Sequence, residues 1–278
     1  MNGSLGFFLM QVSLIAVVLV MHTYMGLHII RRTIIFCDLV LAQQAALGAL
    51  VGLSLGVKYA TGGSYAISLA TVLVGSVLLA TIKPKERRIP REAVIGIMFA
   101  MALVISLLVG DKLSGGGAYV TKTLTGSMLW ASWRLVGITV AVYVALIALH
   151  YKFRDRFIGL SEAPDQVKSH RLWDFLFFST QGLITVMIVP IAGVLLAYSF
   201  LMIPAAIAAL FSRRWIPAVA IGWSVGMVAC LIGLFASYYG DLPYGPTLVL
   251  SLGTFFLAAV AIRSVRRTRA EVEGGSRP

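Results

Sequence analysis

The chain has 278 residues, 59% of them hydrophobic and only 12% charged, with a net charge of +12 and a mean hydropathy of +0.91. Runs of about twenty apolar residues, enough to cross ~30 Å of hydrocarbon, recur along its length, which excludes a soluble all-α domain. The basic residues sit between those runs, which marks them as a topology signal and excludes a nucleic-acid footprint.

Nine spans are expected in order, at roughly 7–30, 34–57, 64–82, 93–110, 133–150, 172–189, 192–211, 216–237 and 246–262. Residues 1–6 carry no positive charge and the run from Phe7 to Ile30 is too long for a signal-peptide core, so it reads as a retained first span. Arg31 and Arg32 form the first basic connector, and Lys83, Lys85, Arg87, Arg88 and Arg91 the second. Lys152, Arg154, Arg156, Lys168 and Arg171 form a third, Arg213 and Arg214 a fourth, and Arg263, Arg266, Arg267, Arg269 and Arg277 the tail. These are nineteen of the 23 basic residues, all on one side; Lys58, Lys112, Lys122 and Arg134 fall on the other. The positive-inside rule then puts the amino terminus outside and the tail in the cytoplasm. The expected fold is an all-α polytopic membrane protein of about nine transmembrane helices. Residues 1–263 form its membrane domain and 264–278 a polar cytoplasmic tail expected to be disordered.

Cys37 and Cys230 lie in apolar segments, where a disulfide is not expected. Residues 111–133 are too irregular to span: Gly115 to Gly117 make a break, and Ala118 to Trp130 suit a short helix on the extracytoplasmic surface. Trp130, Trp133 and Arg134 fit interfacial anchors. Pro204 is expected to kink its span.

Residues Tyr238 to Leu250 read YYGDLPYGPTLVL. Pro243 and Pro246 each fix φ and remove a donor, so no helix crosses this stretch, and Pro246 suits the first turn of the last span. Asp241 either caps that span or seats a partner. The D-L-P-x-G-P-T-L-V-L pattern resembles the signature of ABC-importer permeases that carry zinc, manganese or iron(II). Further blocks resemble that family in order: RRTIIFCDLVLAQQAALG (31–48), REAVIGIMFAMAL (91–103), LTGSMLWASW (124–133), RLWDFLFF (171–178) and GVLLAYSFLMIPAAIA (193–208).

The resemblance implies a homodimeric permease in a bacterial or archaeal cytoplasmic (inner) membrane. It would sit on ABC ATPase subunits and receive a divalent metal ion from an extracytoplasmic metal-binding protein. Such a chain is a transport subunit, not an enzyme, with the ion as cargo, no cofactor of its own and no nucleic-acid partner. The residues agree on one point: the sequence has no G-x-x-x-x-G-K-[ST] phosphate loop, so if ATP drives transport another chain must supply its site.

The longest basic connector, Tyr151 to Arg171, mixes charges with Phe153, Phe157, Ile158 and Leu160. It reads as a solvated loop or as a short amphipathic helix whose apolar side enters a partner groove. The resemblance favours the second, an ATPase-coupling segment.

For the ion path, Asp38 lies six residues beyond Arg32, about 9 Å into the bilayer if helical. An intramembrane carboxylate must face protein or water and is a functional candidate. The family pattern G-D-A-x-x-H would place metal-ligating Asp and His one turn apart. Asp38 matches the Asp, whereas Ala42 stands at the His position, followed by Gln43 and Gln44. The glutamines read either as carbonyl donors supporting the path or as interhelical hydrogen bonders. His22, Met25 and His28 recur at three-residue steps on the first span, with Met25 between the imidazoles and level with Asp38. They are candidate metal ligands beside Asp38, the alternative being hydrogen bonds to neighbouring helices. His150 and His170 read as ordinary polar residues. An ATP-independent metal transporter or channel would carry more intramembrane acids than this chain shows. A membrane enzyme would cluster His, Asp or Glu at one face, and no such constellation is legible.

Overall fold

The computed structural model describes the backbone of residues 2–82, 89–126 and 132–274, and side chains from residue 6 to 266 of these. Lys83, Lys85, Arg87 and Arg88 of the second connector, and Trp130 of the expected surface helix, lie outside the described residues. The described chain is helical in its regular parts: α1 (Asn2–Arg31), α2 (Cys37–Ser54), α3 (Gly62–Thr81), α4 (Arg91–Asp111), α5 (Gly116–Thr125), α6 (Trp133–Lys152), α7 (Arg154–Glu162), α8 (His170–Phe211), α9 (Trp215–Gly240) and α10 (Tyr244–Gly274). A 3-10 turn, Pro164–Gln166, joins α7 to α8.

Each boundary has a local cause. Thr33 adopts a left-handed φ of 51° and turns the chain between α1 and α2. Ser132 caps α6 by accepting the Leu135 N–H at 3.2 Å, satisfying one free amide of the first turn. Gly115 opens and Gly126 closes the short α5, both at positive φ. Pro246 falls in the first turn of α10, as its fixed φ favours. Asp241 terminates α9 in the left-handed conformation, its N–H bonded to Ser237 C=O, so it closes the preceding helix and does not cap the next.

Eight helices are long and apolar enough to cross a membrane. The longest, α8, is broken at Gly193 (φ 76°, ψ 167°), a backbone conformation closed to L side chains. Its halves run back antiparallel. Asp174 near the start contacts Arg32, and the Arg213 carbonyl just past the end accepts from Arg31, whereas Gly193 itself abuts Gly126 at the far end of the bundle. Counting α8 as two gives nine membrane-length segments among the described residues, with the seventh beginning at Gly193. The backbone keeps helical angles at Pro204, so no break stands where a kink was expected; the break at Gly193 is the turn between the sixth and seventh expected spans.

The halves of α8 form the buried centre of the bundle, and α4, α6 and α10 are its most exposed spans. Lipid tails are as apolar as leucine, so close packing and interhelical hydrogen bonds hold such a bundle together. Gly26 of α1 rests against the Leu201 carbonyl and Ala205, where any Cβ would collide. Ser68 of α3 donates to Ala45 C=O of α2 at 2.9 Å, Ser251 of α10 to Ala229 C=O of α9 at 2.7 Å, and Trp223 of α9 to Ala16 C=O of α1 at 2.9 Å. The described basic connectors converge on one end. Arg31 reaches Glu162 and Arg213 C=O, Arg32 reaches Asp174, and Arg91 reaches Leu79 C=O.

Candidate functional site

Asp38 stands in the first turn of α2, where the unpaired amides of the helix start favour a carboxylate. It is 1% exposed. Its Oδ1 accepts Gln181 Nε2 at 2.5 Å and Thr185 Oγ1 at 3.1 Å, both from the first half of α8. Among the described residues, Oδ2 has no hydrogen-bond partner and no salt bridge reaches the carboxylate. Gln181 Oε1, equally buried, is also unpartnered. Gln181 lies seven residues past Asp174, about 10 Å along α8. Arg32 pairs with Asp174, so Asp38 sits near the depth its sequence spacing from Arg32 implies.

The first-span candidates divide. His22 is buried; its Nδ1 lies 3.0 Å from Val18 C=O, the donating arrangement, which leaves Nε2 as an acceptor without a described partner. Its ring is 6.0 Å from Tyr143, whose hydroxyl approaches Ile184 C=O at 3.4 Å, next to Thr185. His22 and Asp38 thus flank one buried polar seam through α1, α6, α8 and α2. Met25 is fully buried in the main apolar core. His28 turns elsewhere: Nδ1 meets Ser161 Oγ of α7 at 2.7 Å, and the ring packs on Trp215 at 4.3 Å. Among the described residues no three His, Cys, Asp or Glu side chains gather as a metal cluster. The glutamines also leave the Asp38 face. Gln43 donates to Ser106 of α4 at 3.0 Å, and Gln44 packs against Gly75 of α3.

Two buried polar residues carry more than their sequence positions suggest. Asp174 is fully buried and paired with Arg32 and, at 3.1 Å, with His170, so Asp38 is not the only deep acid. His150 is buried, stacks on Phe157 with centroids 3.9 Å apart, and bonds Thr180 at 3.0 Å. It is the pivot between α6, α7 and α8, not an ordinary helix-end polar residue.

The connector is the helix α7, as the amphipathic pattern implies, but its apolar side is filled by the chain itself. Phe157 and Leu160 are buried, and Phe153 packs on Trp173 at 5.3 Å. Ile158 keeps an open side, lining a groove of about 810 Å³ with Val20, Ile147, Val219 and Trp223. The exposed residues of α7 are its charged ones, Arg154, Asp155, Arg156 and Glu162. Glu162 ties α7 to the bundle, accepting Arg31 at 2.7 Å and Trp215 Nε1 at 2.9 Å. At the opposite end, Phe7, Gln11, Thr125, Gly126, Asp241 and Gly245 help line a cavity of about 470 Å³.

The fold is thus a bundle of membrane-length helices with a central broken helix pair, a buried carboxylate without a described counter-charge and a short helix at its basic end. Residues 7–263 match the ABC 3 transport family, and the chain belongs to that family. An uncharacterized membrane protein of Synechocystis is 28% identical over 180 residues, which are 62% of this chain and 63% of that protein's length. The manganese transport system membrane protein MntC of Listeria innocua is 25% identical over 208 residues, 73% of this chain and 74% of MntC. PsaBC from Streptococcus pneumoniae, solved in complex with Fab, has a chain of the same fold: TM-score 0.73 at 20% identity, covering 90% of each chain. The protein is a multi-pass membrane protein of this transport family.

Gln181 and Thr185 escaped the sequence reading. The available signal was a polar pair four residues apart inside FFSTQGLITVMIV, and one turn of helix puts both on one face.

Proposed function

We propose that the chain is the membrane-spanning subunit of an ATP-driven importer for a divalent transition metal ion. The observation that carries this reading is Asp38: a buried carboxylate without a described counter-charge, in a bundle of the ABC 3 transport family. Burying an uncompensated charge is costly, and a passing cation removes that cost. The manganese-transport designation of the Listeria relative supports a metal as cargo. His22, with a free imidazole acceptor on the same seam, belongs to the path, and Met25 lies between the two histidines as packing. His28 belongs to the α7 joint. The charged face of α7 receives an ATPase subunit, two copies of the chain pair across the membrane, and the end bearing Asp241 faces an extracytoplasmic metal-binding protein. The basic end is then cytoplasmic. The test is a mild-detergent pull-down of the tagged chain from its own cells, with partners identified by mass. A stoichiometric subunit bearing a phosphate loop is the expected result; a folded chain recovered alone would turn the reading to an ATP-independent transporter.

A further inference from the structure

We infer that Gln181 and Thr185 complete an oxygen-only cation site around Asp38, and that this site selects a hard divalent ion such as manganese(II) over zinc. The inference rests on the metal-permease reading and names the residues that choose its cargo.

Three oxygens surround the Asp38–Gln181 contact between α2 and α8. Asp38 Oδ2 and Gln181 Oε1 are both fully buried and both without a partner among the described residues. Orphaned oxygens of this kind cost more inside a membrane than in a soluble core, because no water compensates them. Thr185 Oγ1 supplies the third oxygen. It already touches Asp38 at 3.1 Å and lies one turn from Gln181, whose amide nitrogen approaches it at 3.4 Å. Gln181 now presents its nitrogen to Asp38. A half-turn of the amide exchanges nitrogen for carbonyl oxygen, and a cation in place of the hydrogen bond would favour that turn.

The donor set decides the ion. Carboxylate, amide carbonyl and hydroxyl oxygens suit magnesium, calcium and manganese, whereas zinc and copper prefer imidazole and thiolate. Among the described residues no cluster of three His, Cys, Asp or Glu surrounds Asp38, and Ala42 occupies the position one turn along α2. Gln43 and Gln44, the glutamines next to Ala42 in sequence, are engaged with α4 and α3. The second oxygen source therefore comes from α8, with α2 contributing the carboxylate alone. Both helices must hold their spacing for the cation to bind. A rearrangement of α8 against α2 would open the site without breaking any bond within either helix.

The test is equilibrium binding of radioactive manganese(II) and zinc(II) to the purified full chain in lipid nanodiscs, with monodispersity as the folding control. Wild type should bind manganese(II), and Asp38→Asn should abolish that binding. Thr185→Val and Gln181→Leu should each weaken manganese about tenfold or more, while Thr185→Ser, which keeps the hydroxyl, stays near wild type. Gln181→His should shift the zinc-to-manganese ratio toward zinc by about tenfold, a change that a purely structural role would not produce. Equal losses for both ions in all variants, Thr185→Ser included, would overturn the inference. So would manganese binding that is indifferent to Gln181 and Thr185, or a wild type that binds neither ion. Manganese binding at these residues in a chain with no ATPase partner would leave the site standing and remove the ATP-driven reading instead.

Discussion

Replacing Asp174 by Asn tests whether the basic end of the bundle is held by a buried ion pair. The Arg32 and Asp174 side chains are 5% and 0% exposed, and the guanidinium also lies 4.9 Å from the Phe177 ring centre and 5.5 Å from that of Phe178. Asn keeps the shape and one acceptor but removes the charge, leaving a guanidinium among aromatic rings. Breaking a buried pair from one side costs about 3–5 kcal/mol, and the retained acceptor places Asp174→Asn near ~3 kcal/mol. The double replacement Asp174→Leu with Arg32→Met removes both charges and should recover most of that loss, since apolar substitutes for a buried pair are often neutral. Reversible unfolding of the detergent-purified chain in a denaturing-surfactant titration gives the difference directly. A loss below ~0.5 kcal/mol for Asp174→Asn, or a double variant weaker than the single one, would show that the pair does not hold this end.

Asp38→Ala should abolish metal uptake while leaving the yield of folded protein near wild type; unchanged uptake would remove Asp38 from the path. His28→Ala cuts the α1–α7 contact at Ser161, so, on the proposed ATP-driven reading, hydrolysis by the partner subunit should continue with uptake reduced; a proportional fall in both would place His28 outside the coupling route. His22→Ala should change ion uptake with hydrolysis retained, and uptake identical to wild type would return His22 to packing. Gly193→Ala forces an L side chain into a glycine-only backbone region, at a cost of about 1–3 kcal/mol, and drives a Cβ into the Gly126 and Leu124 backbones, so monodisperse protein should be largely lost on size exclusion. A normal yield would contradict the tight turn.

Sequence and structure agree where one property of the bilayer decides the outcome. Apolar run length places the spans, and the boundary near 189–192 is visible because Pro190 and Gly193 interrupt a long apolar stretch. Asp38 stands out because a carboxylate in an apolar run is rare. Its partners Gln181 and Thr185 are 143 and 147 residues away, and polar pairs within spans occur as ordinary interhelical glue, so only packing reveals the site. Asp174 was hidden by its neighbourhood. Beside Arg171 and the basic connector it reads as an interfacial charge, until the turn at Thr33 brings Arg32 onto it. The pattern of α7 shows that one side is apolar, but not whose groove it fills: His150 and Trp173 occupy that side, and both lie outside the helix.

At Gly193 the chain reverses with no slack. Gly126 and Gly245 meet this corner through backbone atoms of Thr125, Ala192 and Ile191, with no side chain interposed. The two arms of α8 are therefore joined tightly at this extremity. Were the arms to pivot about that corner during a transport cycle, the displacement would be smallest there and largest near Asp174 and Phe211, the end against which α7 packs through Trp173. Fluorescent reporters placed beside Gly193 would register little of such a cycle. Those placed near residue 212 would register most of it.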